Sequence, residues 1–269
     1  MDTDIPFDAR TLHFRLEGSS DQESAVLVLL TDMHIWDSAI SLLKQEIPNV
    51  RFLRYGEWRH GLALLSRYGE LPCVNQIVAV VIETRLAAGP FSHRCWLGWR
   101  NGLAFASRYP DRLDRFVACD FNVASTKRQV SEWDSRLHYG KTYGMSGVLA
   151  NKVVATWLTA DSRGSPEWKS VRETVGSWSL DEFEATAKAQ YSYDETENMR
   201  SIQIPSLFVV GSEDGTLPEV MSAFPDKMRI GVSTCKEIRR SGHLPMRENA
   251  SAFVIALTSF LAGTIAAND

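Results

Sequence analysis

Ser206-Leu-Phe-Val-Val-Gly-Ser-Glu-Asp214 is an apolar run that stops at a glycine and ends in two acids. With Ile204 and Pro205 before it, Ile204–Val210 reads as a buried strand and Gly211–Asp214 as the polar turn that leaves it. Downstream, a second strand is expected at Cys235–Ile238, followed by Ser241-Gly-His-Leu-Pro245. Open parallel sheets bind ligands outside the carboxyl ends of their strands. Asp214 and His243 therefore fall at the same edge of such a sheet. Alone, the first is an ordinary polar turn and the second an ordinary surface histidine. Acid first and histidine second, each just past a strand, is the order of a carboxylate that orients a general base.

Working outward, strands fit Thr11–Leu16, Ala25–Leu30, Val50–Tyr55, Phe91–Leu97 and Arg115–Cys119. Helical spacing fits Val74–Ala88 and Asn101–Tyr109, the latter stopped by Pro110. Alternating strands and helices predict a parallel, doubly wound α/β sheet. From Asn122 to Met199 the alternation lapses. That stretch is polar and helical, and it holds Trp133, Trp157, Trp168 and Trp178. Alternation resumes with the strand at Ile204, a helix near Leu217–Phe224 and a closing helix at Asn249–Leu261. The expected organisation is a core of residues 1–121 and 200–269, with a helical cap of residues 122–199 inserted after the sixth strand.

The bulk properties narrow the function. The chain has 269 residues, 44% hydrophobic and 23% charged, with net charge −4. That suits one globular enzyme domain with a large core, and it excludes the basic face of a nucleic-acid binder. Arg239-Arg240 reads as a solvated strand end. Cys73, Cys95, Cys119 and Cys235 lack metal-site spacing, so free thiols and no zinc are expected. Met1–Arg10 is acidic, without the apolar core of a secretion signal, and no apolar run reaches transmembrane length. A cytoplasmic location, a small-molecule substrate and no membrane or nucleic-acid partner are the expectations. Monomer and homodimer both fit.

Several stretches, in order, resemble the 3-oxoadipate enol-lactonase group of the α/β-hydrolase superfamily. They are LHFRLEG, MHIWD, RFLRYGEWRHG, ASRYPDRLDRFVACD, ATWLTADSR, PSLFVVGSED and SGHLPMRENASAF. The resemblance runs nearly end to end. It implies an α/β-hydrolase fold with a helical cap and a Ser-Asp-His triad, in which Asp214 matches the acid and His243 the histidine. It implies no metal or organic cofactor.

The chain departs from that pattern at three points. No GxSxG or GxCxG occurs in it. Counting back from ASRYP places Trp96 at the nucleophile, with Arg94 where a glycine is usual and Gly98 retained. Indole offers one N–H donor and no nucleophile. The His-Gly pair expected after the third strand is replaced by Thr31-Asp32-Met33-His34, which puts one oxyanion donor in doubt and leaves the backbone N–H of Leu97 for the other. The aspartate usual after the fourth strand is Gly56, although Arg59-His60-Gly61 keeps part of that turn.

A His-Asp pair without a nucleophile still takes and returns a proton. The expected activity is non-hydrolytic, of cyclase, isomerase or lyase type, on an aromatic or polyketide-like carbonyl compound. Trp96 and Leu97 are expected to form the pocket floor, with Thr31, Asp32, His34 and Trp58 after strands, and Trp133 and Trp157 from the cap. Each tryptophan also has the reading of plain cap packing. Two alternatives stay open. One is an ester or lactone hydrolase using activated water or Cys95, with Ser92 less well placed in its strand. The other is an inactive ligand-binding protein of the same fold.

Overall fold

The computed structural model describes residues 2–7, 10–20, 25–31, 34–56, 94–97, 100–228 and 233–263. The helix expected at Val74–Ala88, and the candidates Asp32, Trp58 and Ser92, lie outside them.

Among the described residues, eight strands form one sheet: β1 (Asp2–Phe7), β2 (Arg10–Gly18), β3 (Ala25–Thr31), β4 (Val50–Gly56), β5 (Arg94–Leu97), β6 (Arg115–Cys119), β7 (Ser206–Gly211) and β8 (Ser233–Ile238). Their order is β1-β2-β4-β3-β5-β6-β7-β8. β2 pairs antiparallel with β1 and β4, and every other pairing is parallel. The expected mostly parallel, doubly wound sheet is what forms. β1 is a correction, since no strand was expected in the acidic Met1–Arg10. An edge position accepts the Pro6 that a central strand would reject.

Two apolar layers sandwich the sheet, and the alternation of side chains builds them. In β6 and β7, Val117, Leu207 and Val209 face one layer, while Phe116, Ala118, Phe208 and Val210 face the other. All six residues of β7 are buried, as a continuous apolar run demands. Burying each such side chain contributes about 1.5–3 kcal/mol. The helices α1 (Asp37–Glu46) and α2 (Arg100–Arg108) lie on opposite faces. Ile40 and Leu43 of α1 join the first layer; Leu103 and Phe105 of α2 join the second.

The helical cap stands between β6 and β7. It comprises α3 (Lys127–Tyr143), α4 (Ala150–Trp157), α5 (Pro166–Gly176), α6 (Leu180–Ala189) and α7 (Thr196–Ser201). Local sequence starts its helices. Thr126 and Gln129 exchange hydrogen bonds as a capping box for α3, and Ser165 caps α5 ahead of Pro166. Val153, Val154, Val171, Val175 and Phe183 join the cap to the same apolar layer as β7. After β7 come α8 (Leu217–Ser222), then α9 (Pro245–Glu248) and α10 (Ala250–Leu261) beyond β8. No described helix is long and apolar enough to cross a membrane.

Candidate active site

The carboxyl ends of β6, β7 and β8 converge on His243. After β7, Gly211 leads into a tight turn in which the Asp214 amide donates to the Gly211 carbonyl at 3.1 Å. After β8, Arg240 adopts a left-handed backbone (φ 55°), and its amide donates to Ser212 Oγ at 3.0 Å. The two loops touch backbone to backbone. A Cβ on Gly211 would lie 1.9 Å from the Gly242 carbonyl oxygen, so only glycine fits. His243 Nδ1 and Asp214 Oδ2 are 2.7 Å apart, with the histidine about one-third exposed and the aspartate nearly buried. An Nδ1–H donated to the carboxylate leaves Nε2 as the proton-accepting nitrogen.

A third acid lies beneath this pair. Asp120 directly follows β6 in a left-handed conformation (φ 46°) and is 4% exposed. Its Oδ1 accepts the Gly211 amide at 2.8 Å, and its Oδ2 is buried without a partner. One ligand-type atom from each of Asp120, Asp214 and His243 falls within 4.8 Å of the others. Burial, and then the charge of Asp214, push the Asp120 carboxyl well above its ordinary range. A protonated Asp120 has an O–H to give to Asp214, which accounts for the orphaned oxygen.

The cap grips the histidine loop. The His243 amide donates to the Trp157 carbonyl at 2.7 Å, and the two rings stack at 6.0 Å and 26°. Glu248 accepts the Thr159 amide and hydroxyl at 2.8 Å each, the Gly242 amide at 2.7 Å and the Ser162 hydroxyl. A Cβ on Gly242 would lie 2.6 Å from the Trp157 carbonyl. Beside Trp157 opens a cleft walled by Ile35, Val171, Val175 and Trp178, with His34 and Arg247 also lining it.

Of the expected site residues, the structure brings together Asp214, His243, Trp157 and His34. Trp133 stands apart, among the cap helices. It packs on Phe183 at 5.8 Å with the Arg136 guanidinium over its ring at 5.0 Å, which is the plain packing role. Thr31 ends β3, and Leu97 ends β5. Trp96 lies inside β5, paired in register with Val28 and Phe116, and is not in the turn itself. β5 runs to Leu97 and α2 opens at Arg100, and residues 98 and 99 between them lie outside the described ones. Gly102 confirms a close approach here, since a Cβ on it would lie 2.9 Å from the Phe116 ring. Side chains of residues 94–97 lie outside the described ones, Cys95 included.

Sequence reasoning missed Asp120 and Glu248. Asp120 obeys the rule that found Asp214, an acid immediately after a parallel strand. Glu248 carries no comparable signal, because its partners come from the distant cap.

A scan against protein-family models finds no match, and neither does a search of curated proteins by sequence. Solved structures do match. The enol-lactonase from Burkholderia xenovorans LB400 superposes with TM-score 0.79 at 21% identity, over 97% of this chain and 100% of that one. A thermophilic esterase from Thermogutta terrifontis gives 0.76 at 17%, over 99% and 100%. MGS-M2, an α/β-hydrolase enzyme from a Medee basin deep-sea metagenome library, gives 0.79 at 16%, over 99% of both chains. These likenesses extend over the whole chain and show its fold to be that of the α/β-hydrolases.

Proposed function

With the α/β-hydrolase fold as premise, we propose that His243, oriented by Asp214, is the general base of a non-hydrolytic enzyme. A C–H or O–H proton of the substrate passes to Nε2, and the imidazolium that forms is stabilised by the Asp214 carboxylate. The same proton returns to the product, completing an isomerisation, a cyclisation or a lyase-type cleavage. A small aromatic or polyketide-like carbonyl compound suits a cleft walled by Trp157, Trp178 and valines.

The observation that carries this reading is the 2.7 Å His243–Asp214 contact, in a chain whose sequence holds no GxSxG or GxCxG. Residues 96–101 read Trp-Leu-Gly-Trp-Arg-Asn. That window holds no serine, threonine or cysteine, and a slip of one residue toward the N-terminus reaches Cys95. An acyl-enzyme would need Cys95, whereas proton transfer asks only for the base and its orienting acid.

The test is labelling with a fluorophosphonate and with iodoacetamide, alongside turnover by a His243→Ala variant. The reading expects no active-site labelling and loss of turnover in the variant. Stoichiometric labelling that abolishes activity would overturn it.

A second reading is favoured by the match to an enol-lactonase and an esterase. His243 would then activate water for attack on a lactone or ester. Steady turnover of p-nitrophenyl acetate, without a burst and dependent on His243, supports that reading over the first.

A further inference from the structure

The cleft beside Trp157 holds a cation that no described carboxylate neutralises. Arg247 lies in α9, near His243 in sequence, and helps to line the cleft. Its Nη1 donates to the His34 carbonyl at 2.8 Å, while its Nε is buried without a hydrogen-bond partner. The neighbouring Glu248 is already committed, because its two oxygens accept from Thr159, Ser162 and Gly242. Arg54 makes the contrast: it is more deeply buried than Arg247, and Glu17 and Asp37 both pair with it.

A buried N–H left unmade costs about 1–3 kcal/mol, more when the group is charged. A guanidinium has the planar fork that matches a carboxylate, and a half-buried one gains more from that match than one in bulk water. The remaining cleft wall is mostly apolar, formed by Ile35, Trp157, Val171, Val175 and Trp178 with Ser170 and Thr174. The chain as a whole carries net charge −4, so anions are not attracted to it generally. Arg247 is a local exception set in an apolar wall.

We propose that the cleft takes a small organic acid, with an aromatic or aliphatic body against Trp157 and Trp178 and a carboxylate on Arg247. This names the substrate class of the proton-transfer site and rests on that reading for the cleft's role. Binding, however, is measurable without turnover. The Nη1 bond to the His34 carbonyl fixes one side of the guanidinium and Nε is closed off from solvent, so the carboxylate meets the Nη edge. The acid is thereby anchored at one end of the cleft, while Trp157 ties the other side to the His243 ring.

The experiment is a tryptophan-fluorescence titration with 4-phenylbutanoate and its neutral analogue 4-phenylbutanamide. The acid is expected to bind about tenfold more tightly than the amide, as a charge-assisted pair requires. Arg247→Gln abolishes that preference, and Arg247→Lys, which keeps the charge, retains part of it. Thermal unfolding of both variants checks that the fold persists. Equal affinity for acid and amide overturns the proposal. So does a preference that survives in Arg247→Gln, and so does failure of both compounds to bind. His243→Ala is expected to keep the full preference. Retained preference together with lost turnover supports both readings. Retained preference with unchanged turnover supports the acid site and removes the proton-transfer function.

Discussion

Trp157 holds His243 at two points, its carbonyl accepting the histidine amide at 2.7 Å and its indole stacking on the imidazole at 6.0 Å. Trp157 ends α4 of the cap, so this double contact makes the cap a structural support for the base. The stack restricts the imidazole on one side, and the Asp214 bond restricts it on the other. A base held in this way has its Nε2 direction set before substrate arrives, which is the entropic advantage of preorganisation.

Trp157→Ala should therefore reduce kcat/KM by about tenfold or more, through lost orientation and a widened cleft. Trp157→Phe keeps a ring and should lose much less. Because the indole is half-buried, the alanine variant should cost about 2 kcal/mol of stability, below the range for a fully buried tryptophan. Urea unfolding of both variants, beside their kinetics, separates the two effects.

Asp214→Asn and His243→Ala should each lower turnover by about 10²–10⁴-fold, the usual contribution of a positioned general base. The asparagine variant presents an amide where His243 Nδ1–H needs an acceptor. It can also hold the imidazole in the wrong tautomer. Combining the two changes should add little beyond the larger single effect, since the residues act as one unit. Full additivity in a double-mutant cycle would separate Asp214 from the mechanism.

Asp120 predicts a pH dependence of stability. Burial, then the charges of Asp214 and Glu248, hold its carboxyl above the ordinary value of 3.8, against the opposing hydrogen bond from Gly211. The folded chain therefore binds this proton more tightly than the unfolded chain. Stability from it is complete below the unfolded value and is lost as pH rises through the raised folded value. Asp120→Asn mimics the protonated acid. Its carbonyl still accepts from Gly211, its amide donates to Asp214, and asparagine tolerates the left-handed backbone at φ 46°. The variant should be more stable than the parent at pH 7, with the gap closing toward pH 4 in thermal melts. An unchanged gap across that range would show that Asp120 is not the titrating group.

The reach of sequence reading follows from where each signal resides. β6 is a short apolar run, and its expected limits, Arg115–Cys119, are those observed. Asp214 was legible because it follows β7, whose burial is written in consecutive apolar residues, and His243 because it comes after that acid and just past the mostly polar β8. β1 was not legible, since an edge strand need not bury both faces and Asp2–Phe7 lacks the apolar run of β7. Trp96 falls in β5, one residue before the strand's end at Leu97. Asp120 was overlooked because a carboxyl after a strand looks the same in sequence whether it is solvated or, as here, buried. Glu248 lay furthest from view, as its ligands Thr159 and Ser162 belong to the cap and meet it only in the folded chain.

Glu248 supports the last prediction. One carboxylate satisfies donors from the cap (Thr159 and Ser162) and from the histidine loop (Gly242), so it ties the cap to the base. Charge-assisted hydrogen bonds of this kind are each stronger than neutral ones, and removing the acceptor strands the Gly242 and Thr159 amides. Glu248→Ala should cost on the order of 3 kcal/mol, a large fraction of a typical domain's stability. Glu248→Gln should cost less, because one amide oxygen still accepts from Thr159, while its NH2 faces the Gly242 N–H donor to donor. The loss should also be localised. Limited proteolysis should cut the alanine variant first between Trp157 and Ser165, at the cap segment that Glu248 holds. Cleavage spread evenly over the chain would mean that Glu248 supports the whole fold and not the junction of cap and base.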